Sequence, residues 1–144
     1  MKRPAVGVAL VIRKGNKILL HKRKSKHANG TWACPGGHLE MYESFKDAAV
    51  RETLEEAGPD LVFTEPRLWT VCNTLFPEED RHYVVVFLLC DYVSGEAQIM
   101  EPEKAEKWEW FDWHTLPKPL IEGNRQLKIR GISPASVDYT KLPE

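Results

Sequence analysis

The sequence predicts a single mixed α/β or α+β domain, and the observations behind this prediction are the order of its elements, its length and its composition. Strand-like apolar runs stand before and after a single strong helix pattern, and no regular β–α–β alternation connects them. The 144 residues correspond most simply to one domain, residues 1–144. With 42% hydrophobic and 28% charged residues, the chain can bury a packed core, and intrinsic disorder is not expected.

The N-terminal half is predicted to begin with a hairpin and to end with the helix. Residues 5–12 form a nearly continuous apolar run, which is typical of a strand buried on both faces. The "KGN" at 14–16 is turn chemistry and "KILLHK" follows it, so a second, antiparallel strand is expected. After the loop "HANGTW", Ser44 is a candidate N-cap for a helix that ends near Ala57, because a Gly-Pro pair follows.

The C-terminal half contains three more strand-like runs. "LWTVCNTLF" and "HYVVVFLLCDY" are rich in β-forming residues, and the turn-like "PEEDR" between them is expected to be solvated. "KWEWFDW" alternates aromatic and polar residues, so we expect a half-buried strand whose tryptophans serve packing. Residues 121–129 are predicted to form a short helix, and the tail from Ser133 to be irregular.

Charge and cysteine content exclude several classes of protein. Twenty basic and 21 acidic residues give a net charge of −1, which argues against a broad nucleic-acid or membrane-binding surface. The three cysteines lie far apart without a CxxC pair, so we expect reduced, buried thiols in a cytoplasmic protein. The first apolar run ends at Arg13-Lys14 without a cleavage site, and no run is long enough for a membrane span.

The predicted helix carries an unusual density of acid. Because successive helical residues turn by about 100°, Glu52, Glu55 and Glu56 fall within about 100° of one another, above the small Ala48 and Ala49. Such like charges destabilise a helix by roughly 0.2–0.5 kcal/mol per pair. Hard divalent cations such as Mg²⁺ or Mn²⁺ would relieve the repulsion, since they bind carboxylate oxygens. A separate stripe is expected to pack on a sheet and consists of Val50, Leu54 and Ala57.

Two further features accompany the acidic stripe. Gly36 and Gly37 allow the backbone to approach a ligand closely, so that a carbonyl can reach a metal held by the helix. Arg23, in the basic segment 13–26, can bind phosphate in bidentate fashion. Carboxylates, a metal and an arginine together indicate phosphoryl chemistry.

From Gly37 onward the chain resembles the signature of the Nudix hydrolases, GX5EX7REUXEEXGU, where U is a bulky aliphatic residue. The fixed residues in register are Gly37, Glu43, Arg51, Glu52, Glu55, Glu56 and Gly58. Two U positions differ, Thr53 and Pro59, and these concern packing rather than charge. The segments "LLHKR", "WACPGGHLE" and "WEWFDWHTLP" extend the resemblance to about residues 4–130 and to the MutT-like nucleoside-triphosphate diphosphatase branch.

The resemblance implies the Nudix fold, an α/β/α sandwich with a mixed β-sheet and a loop–helix that carries the signature. It implies hydrolysis of common or damaged nucleoside triphosphates to a monophosphate and pyrophosphate, with Mg²⁺ as cofactor and Mn²⁺ as a substitute. The implied metal ligands are the Gly36 carbonyl and the carboxylates of Glu52, Glu55 and Glu56. Arg51 and Glu43 would support the loop and helix, while Arg23 and His38 would face the phosphates.

The family often recruits a further glutamate from a later loop, and here the segment "MEPEKAEKWEW" offers Glu101, Glu103 and Glu106. We select Glu103. Glu55 or this later glutamate would then be the general base, so that Glu52, Glu55, Arg51 and Glu103 form the expected catalytic set.

Four other functions compete with hydrolysis of nucleoside triphosphates. Hydrolysis of ADP-ribose or another nucleotide sugar is the alternative within the same chemistry. Coenzyme A cleavage is disfavoured, because Lys24 and Ala28 replace the serine and arginine of that signature, and RNA ends would call for a broader basic track. A non-catalytic nucleotide-binding sensor would have lost carboxylates that this chain keeps. A small nucleotide is therefore the expected partner, and a homodimer remains open.

Residues outside the signature give weaker expectations. His27 lies in a loop with no visible partner, and His21 is expected to be an ordinary strand histidine. Four polar residues are candidates for contacts in the nucleotide pocket: Asn73, Thr74, Asn124 and Gln126.

Overall fold

A computed structural model describes residues 2–131 and 133–144 and contains eight strands and two α-helices within them. The strands are β1 (Ala5–Lys14), β2 (Lys17–Arg23), β3 (Trp32–Ala33), β4 (Gly36–His38), β5 (Val62–Phe63), β6 (Arg67–Phe76), β7 (Arg81–Ser94) and β8 (Ala105–Asp112). The helices are α1 (Phe45–Ala57) and α2 (Glu122–Arg130), and short 3-10 turns lie at Pro77–Glu79, Trp113–Thr115, Pro134–Ser136 and Tyr139–Lys141.

The strands form a mixed sheet around a central parallel pair. β1 runs parallel to β7 from Ala5↔Tyr83 to Arg13↔Asp91. On its other edge β1 pairs antiparallel with β2 and with the short β4. β5 and β6 add antiparallel to β7, and β3 and β8 add antiparallel to β2. The predicted hairpin and the predicted strands are therefore confirmed.

The two faces of the sheet carry separate cores, because successive residues of a strand point to opposite faces. Leu10 and Ile12 of β1 pack with Ala48 and Ala49 of α1. Val11, on the other face, belongs to the cluster that contains Leu127 of α2. One helix covers each face of the sheet, and the predicted α/β/α sandwich is confirmed.

The bounds of α1 follow from local chemistry. The Ser44 hydroxyl accepts the Asp47 N–H at 3.0 Å and so caps the first turn. At the other end Gly58 has φ of 87°, and its N–H donates to the Leu54 carbonyl at 3.0 Å. The helix predicted from Ser44 to Ala57 is therefore confirmed at both ends.

The predicted buried stripe of α1 is wrong for two of its three residues. Val50 is 39% exposed and Leu54 is 51% exposed. The buried positions of the helix are Ala48, Ala49, Thr53 and Ala57. These small side chains bring the α1 backbone close to the sheet, and the acidic stripe lies beside them rather than opposite the sheet.

The remaining sequence expectations concern packing. Trp108 and Trp110 of β8 are half-buried against the core under α1, and Trp113 is buried in the other core. All three cysteines are buried as free thiols. The part of the chain that the structure describes has no helix both long and apolar enough to cross a bilayer.

Candidate active site

A cleft of about 560 Å³ opens beside β4 and the C-terminal half of α1. Its walls come from β1, β2 and the loop after it, β3, β4, α1, β6, β7, the loop before β8 and the start of α2. Several residues singled out from the sequence line it: Arg23, Gly36, Gly37, His38, Glu52, Glu56, Thr74 and Asn124.

The two glycines of β4 are required for different reasons. A Cβ atom on Gly36 would lie closer than 3.0 Å to the backbone of Val8 and Ala9 in the adjacent β1. A Cβ atom on Gly37 would lie closer than 3.0 Å to the carboxylate of Glu52. The backbone of β4 is thus packed on β1 at one residue and on the acidic side chain at the next.

The backbone of Gly36 is directed at α1. The Leu10 N–H donates to the Pro35 carbonyl, and Gly36 is the residue opposite Ala9. Because hydrogen-bonding direction alternates along an antiparallel pair, the N–H and C=O of Gly36 point away from β1. The N–H donates to Glu56 Oε1 at 2.9 Å, and the carbonyl is available on the same edge.

Arg51 joins the signature loop to the helix. Its guanidinium donates to both carboxylate oxygens of Glu43, at 2.7 and 2.9 Å, and to Glu52 Oε1 at 2.8 Å. It also donates to the His38 carbonyl at 3.1 Å. The Arg51 hydrogen bonds lower the pKa of the Glu43 carboxyl, which therefore stays ionised. Arg51 thus joins Glu43 and the His38 carbonyl to α1, and the supporting role that the resemblance implies stays a prediction.

Glu52 and Glu56 are sheltered carboxylates with raised pKa values. Burial raises the pKa of Glu56 to about 8, and the neighbouring charge of Glu52 adds to this effect. Burial also raises the pKa of Glu52, although Arg51 opposes the shift. Two carboxyls held together with too little compensating charge form a donor set that suits a hard divalent cation.

His21 lies beneath this pair. Its Nε2 is 3.7 Å from Glu56 Oε2, and burial, followed by the charge of Arg23, lowers the pKa of the imidazole to about 4. The ring is therefore neutral at pH 7, and it packs on Trp108 at 4.8 Å between ring centroids. The sequence marked His21 as an ordinary strand histidine and gave no sign of its contact with Glu56.

Glu55 is arranged differently from its two neighbours. Its side chain is 53% exposed, against 16% for Glu52 and 14% for Glu56, and its Oε1 is 3.6 Å from Arg51 Nη1. It is not among the residues that line the cleft. Within residues 2–131 and 133–144 no group of three His, Cys, Asp or Glu side chains is assembled to hold a metal. The role of Glu55 as a ligand or base stays a prediction.

The later loop contributes Glu101 to the cleft, whereas the selected Glu103 is exposed and lies outside the lining. Glu101 Oε2 is 3.3 Å from Lys104 Nζ, and its charge helps to raise the pKa values of Glu52 and Glu56. Glu106 instead pairs with Lys22 at 3.6 Å. The choice depends on the path of the loop at residues 95–104, which composition does not reveal.

Arg23 and His38 both face the cleft. Arg23 Nε donates to the His27 carbonyl at 3.1 Å, and Nη2 donates to Ser25 Oγ at 2.7 Å. Burial lowers the pKa of Arg23, and Glu56 partly offsets the shift. The His38 ring is exposed and stacks on Tyr83, with 5.6 Å between centroids. A cationic and aromatic wall therefore faces the carboxylates.

The lining of the cleft also includes apolar side chains, among them Phe87 and Val85. Thr74 and Asn124 line it as well, as predicted for these two residues. Thr74 Oγ1 donates to the Tyr83 carbonyl at 3.0 Å, and Asn124 Nδ2 donates to Cys34 Sγ at 3.1 Å. The other two candidates, Asn73 and Gln126, are not part of the lining.

Comparison with known proteins agrees with this geometry. The family model of the NUDIX domain matches residues 1–130. An ADP-ribose pyrophosphatase of Methanocaldococcus jannaschii is 34% identical over 125 residues, which is 87% of this chain and 72% of that protein. A putative 8-oxo-dGTP diphosphatase 3 of Mycobacterium tuberculosis is 32% identical over 87 residues, which is 60% of this chain and 39% of that protein.

A solved structure gives the same result. The crystal structure of a MutT NUDIX hydrolase from Burkholderia pseudomallei superposes with a TM-score of 0.83 and 30% sequence identity, covering 91% of this chain and all of that one. The matched segment includes the signature loop, α1 and the cleft described above. From its sequence, its fold and these relatives, the chain belongs to the NUDIX domain family and is a Nudix hydrolase.

Proposed function

We propose that the single domain of residues 1–144 is a metal-dependent pyrophosphohydrolase that splits nucleoside triphosphates into a nucleoside monophosphate and pyrophosphate. One observation carries the proposal: Glu52 and Glu56 converge on the Gly36–Gly37 backbone in a cleft that also holds Arg23. Carboxylates that can hold a metal lie on one side, and the Arg23 guanidinium lies on the other. This arrangement suits a polyphosphate that binds between the metal and the arginine.

The residues present fit a divalent cation. Glu52, Glu56 and the Gly36 carbonyl would hold Mg²⁺ or Mn²⁺, and the raised pKa of Glu56 supports this assignment because the pair lacks compensating charge. When bound, the cation neutralises phosphate oxygens and lowers the pKa of a water molecule. Glu55 is retained as a further proposed ligand, reached by rotation of an exposed side chain.

Side chains of the protein bind the phosphates, accept the proton of the water and position the carboxylates. Arg23 and His38 bind the phosphate chain and orient it for in-line attack by water on phosphorus. A carboxylate takes a proton from the attacking water as the new phosphorus–oxygen bond forms, and the bond to the bridging oxygen breaks, so that the nucleotide or the pyrophosphate leaves. Glu101 is better placed for this proton than Glu103, and Glu55 is the alternative on the helix. Arg51 holds Glu52 in position.

The lining of the cleft supports a triphosphate. It combines charged groups with apolar side chains such as Phe87 and Val85, which suits a single nucleoside and its phosphate tail. The relatives named MutT and 8-oxo-dGTP diphosphatase support this choice. ADP-ribose is the second candidate, because the Methanocaldococcus jannaschii relative bears that name.

The test compares kcat/KM for the common and oxidised nucleoside triphosphates with kcat/KM for ADP-ribose, with and without Mg²⁺. We expect triphosphates to be turned over faster, with pyrophosphate as the product and the cation required. If ADP-ribose is preferred tenfold, a difference of about 1.4 kcal/mol in transition-state binding, the substrate assignment is wrong. Turnover of neither class would favour a nucleotide-binding sensor instead.

A further inference from the structure

A side-chain contact that the sequence did not indicate joins two loops beside the cleft. Glu79 belongs to the 3-10 turn at the tip of the β6–β7 hairpin, and His27 belongs to the loop between β2 and β3. His27 Nδ1 and Glu79 Oε2 are 2.8 Å apart, and the Ala28 N–H donates to Glu79 Oε1 at 3.1 Å. Both oxygens of one carboxylate therefore hold neighbouring groups of the opposite loop. The turn at residues 77–80 is exposed, as expected, although Glu79 makes this contact, and the expectation that His27 has no partner is wrong.

This contact is sheltered on the His27 side and lies at the surface on the Glu79 side. The Glu79 side chain is 31% exposed and that of His27 is 16% exposed. The His27 ring packs edge-on against Phe76, at 4.6 Å between centroids, and near Tyr83 at 5.4 Å. Burial lowers the pKa of His27, so the neutral ring donates its Nδ1 proton to Glu79 without needing a charge.

The peptide group between His27 and Ala28 connects this contact to the cleft. Its N–H is bound by Glu79, and its carbonyl accepts from Arg23 Nε at 3.1 Å and from Ser25 Oγ at 2.9 Å. Because a peptide group is planar and rigid, fixing its N–H also fixes the direction of its carbonyl. Ala28 has φ of 51°, a left-handed conformation that costs energy for a residue with a side chain. The Glu79 contact helps to hold the loop in that conformation.

We propose that Glu79 is a positioning residue for Arg23: it orients the peptide group between His27 and Ala28, whose carbonyl holds the guanidinium toward the phosphate end of the cleft. The inference rests on the proposed function in one respect, because it takes Arg23 as a phosphate ligand. Glu79 does not touch the substrate, and it acts from 52 residues beyond His27 in the sequence.

The test uses Glu79→Ala, with Glu78→Ala as the matched control. Glu78 is an exposed neighbour on the same turn, so its loss removes the same charge, and within the described residues it takes no part in holding the loop. Amide hydrogen exchange is measured across the loop from Ser25 to Thr31. We expect lost protection at Ala28 in Glu79→Ala and unchanged protection in Glu78→Ala. Equal protection of the Ala28 amide in the wild type, Glu79→Ala and Glu78→Ala would overturn the proposal.

The second measurement is the dissociation constant of inorganic pyrophosphate in the presence of Mg²⁺, for Glu79→Ala, Arg23→Ala and the double variant. We expect Glu79→Ala to bind pyrophosphate about three- to tenfold more weakly, because Arg23 is no longer held in position. In the Arg23→Ala background the same change is expected to have no further effect, because Glu79 acts through Arg23. A purely structural role would weaken binding equally in both backgrounds, and that result would overturn the proposal.

Substrate kinetics add a readout that a loss of stability alone would not produce. Glu79→Ala is expected to raise KM for the turned-over nucleotide more than it lowers kcat, and Glu79→Gln, which keeps one acceptor oxygen, is expected to fall between Glu79→Ala and the wild type. A fall in kcat with KM unchanged would count against positioning of a phosphate ligand.

The proposed roles of Arg23 and Glu79 can be tested separately. Pyrophosphate is common to triphosphates and ADP-ribose, so an error in the substrate assignment leaves the binding test intact. If Arg23→Ala binds pyrophosphate as the wild type does, the proposed role of Arg23 fails together with the inference. If Arg23→Ala binds weakly and Glu79→Ala does not, only the inference on Glu79 is wrong.

Discussion

At the scale of single residues, the site is defined by how closely backbone and carboxylate approach each other. Gly36 and Gly37 are adjacent in sequence, yet a side chain at each would meet a different obstacle, backbone at the first and the Glu52 carboxylate at the second. The backbone of β1 cannot move without disturbing the sheet, whereas the end of a glutamate side chain can.

The two glycines therefore give opposed predictions for alanine substitution. Gly37→Ala is expected to displace Glu52 and to lower kcat about tenfold or more, with the melting temperature nearly unchanged. Gly36→Ala is expected to destabilise the fold by about 1–3 kcal/mol through overpacking. Thermal unfolding and steady-state kinetics on both variants check this. A larger loss of stability in Gly37→Ala than in Gly36→Ala would contradict the geometry.

At the scale of elements, α1 shows what sequence can and cannot predict. Its ends were predicted because the Ser44 cap and the Gly58 terminator act through hydrogen bonds within a few residues. Its buried face was misassigned because burial depends on which side meets the sheet, and the small Ala48 and Ala49 are the ones that do. The short β3, β4 and β5 were missed, because two or three residues carry no periodicity and are strands only through their pairing.

A specific prediction concerns Thr53, which occupies an aliphatic position of the family signature. It is buried, and its Oγ1 has no hydrogen-bond partner among the residues that the structure describes. Thr53→Val keeps the shape and removes an unsatisfied polar atom, so we expect stability to rise by about 1 kcal/mol. Chemical denaturation measures the change, with activity as a control. A loss of stability would mean that the hydroxyl is satisfied in solution.

At the scale of the whole molecule, the cleft is assembled from segments far apart in the chain. The acidic residues and Arg51 belong to one short signature that Gly36 directly precedes, so the sequence alone could predict that they lie together. Glu101 could not be chosen over Glu103, and the contact of His27 with Glu79 could not be seen, since both depend on how separate loops meet. Groups that lie close together in the sequence can be predicted from it, whereas contacts between distant loops can be seen only in the folded structure.

A cation at this site should stabilise the folded chain as a whole, since it would bind the native state and not the unfolded one. At a Mg²⁺ concentration ten times the dissociation constant, linkage predicts about 1.4 kcal/mol of added stability. That corresponds to a rise of about 3–6 °C in melting temperature for a chain of this size. Thermal unfolding with and without Mg²⁺ measures it, and Glu56→Gln is expected to abolish the rise. An equal rise in the variant would place the cation elsewhere.

The proposed reaction depends above all on Glu52 and Glu56, which we propose hold a catalytic cation against Gly36 in a nucleotide cleft. The most direct measurement is kcat for hydrolysis of the preferred nucleoside triphosphate at saturating Mg²⁺, for the wild type, Glu52→Gln and Glu56→Gln. We predict a fall in kcat on the order of 10² or more in each variant, with circular dichroism and melting temperature close to those of the wild type. Folded variants that retain kcat within a few-fold of the wild type would contradict it.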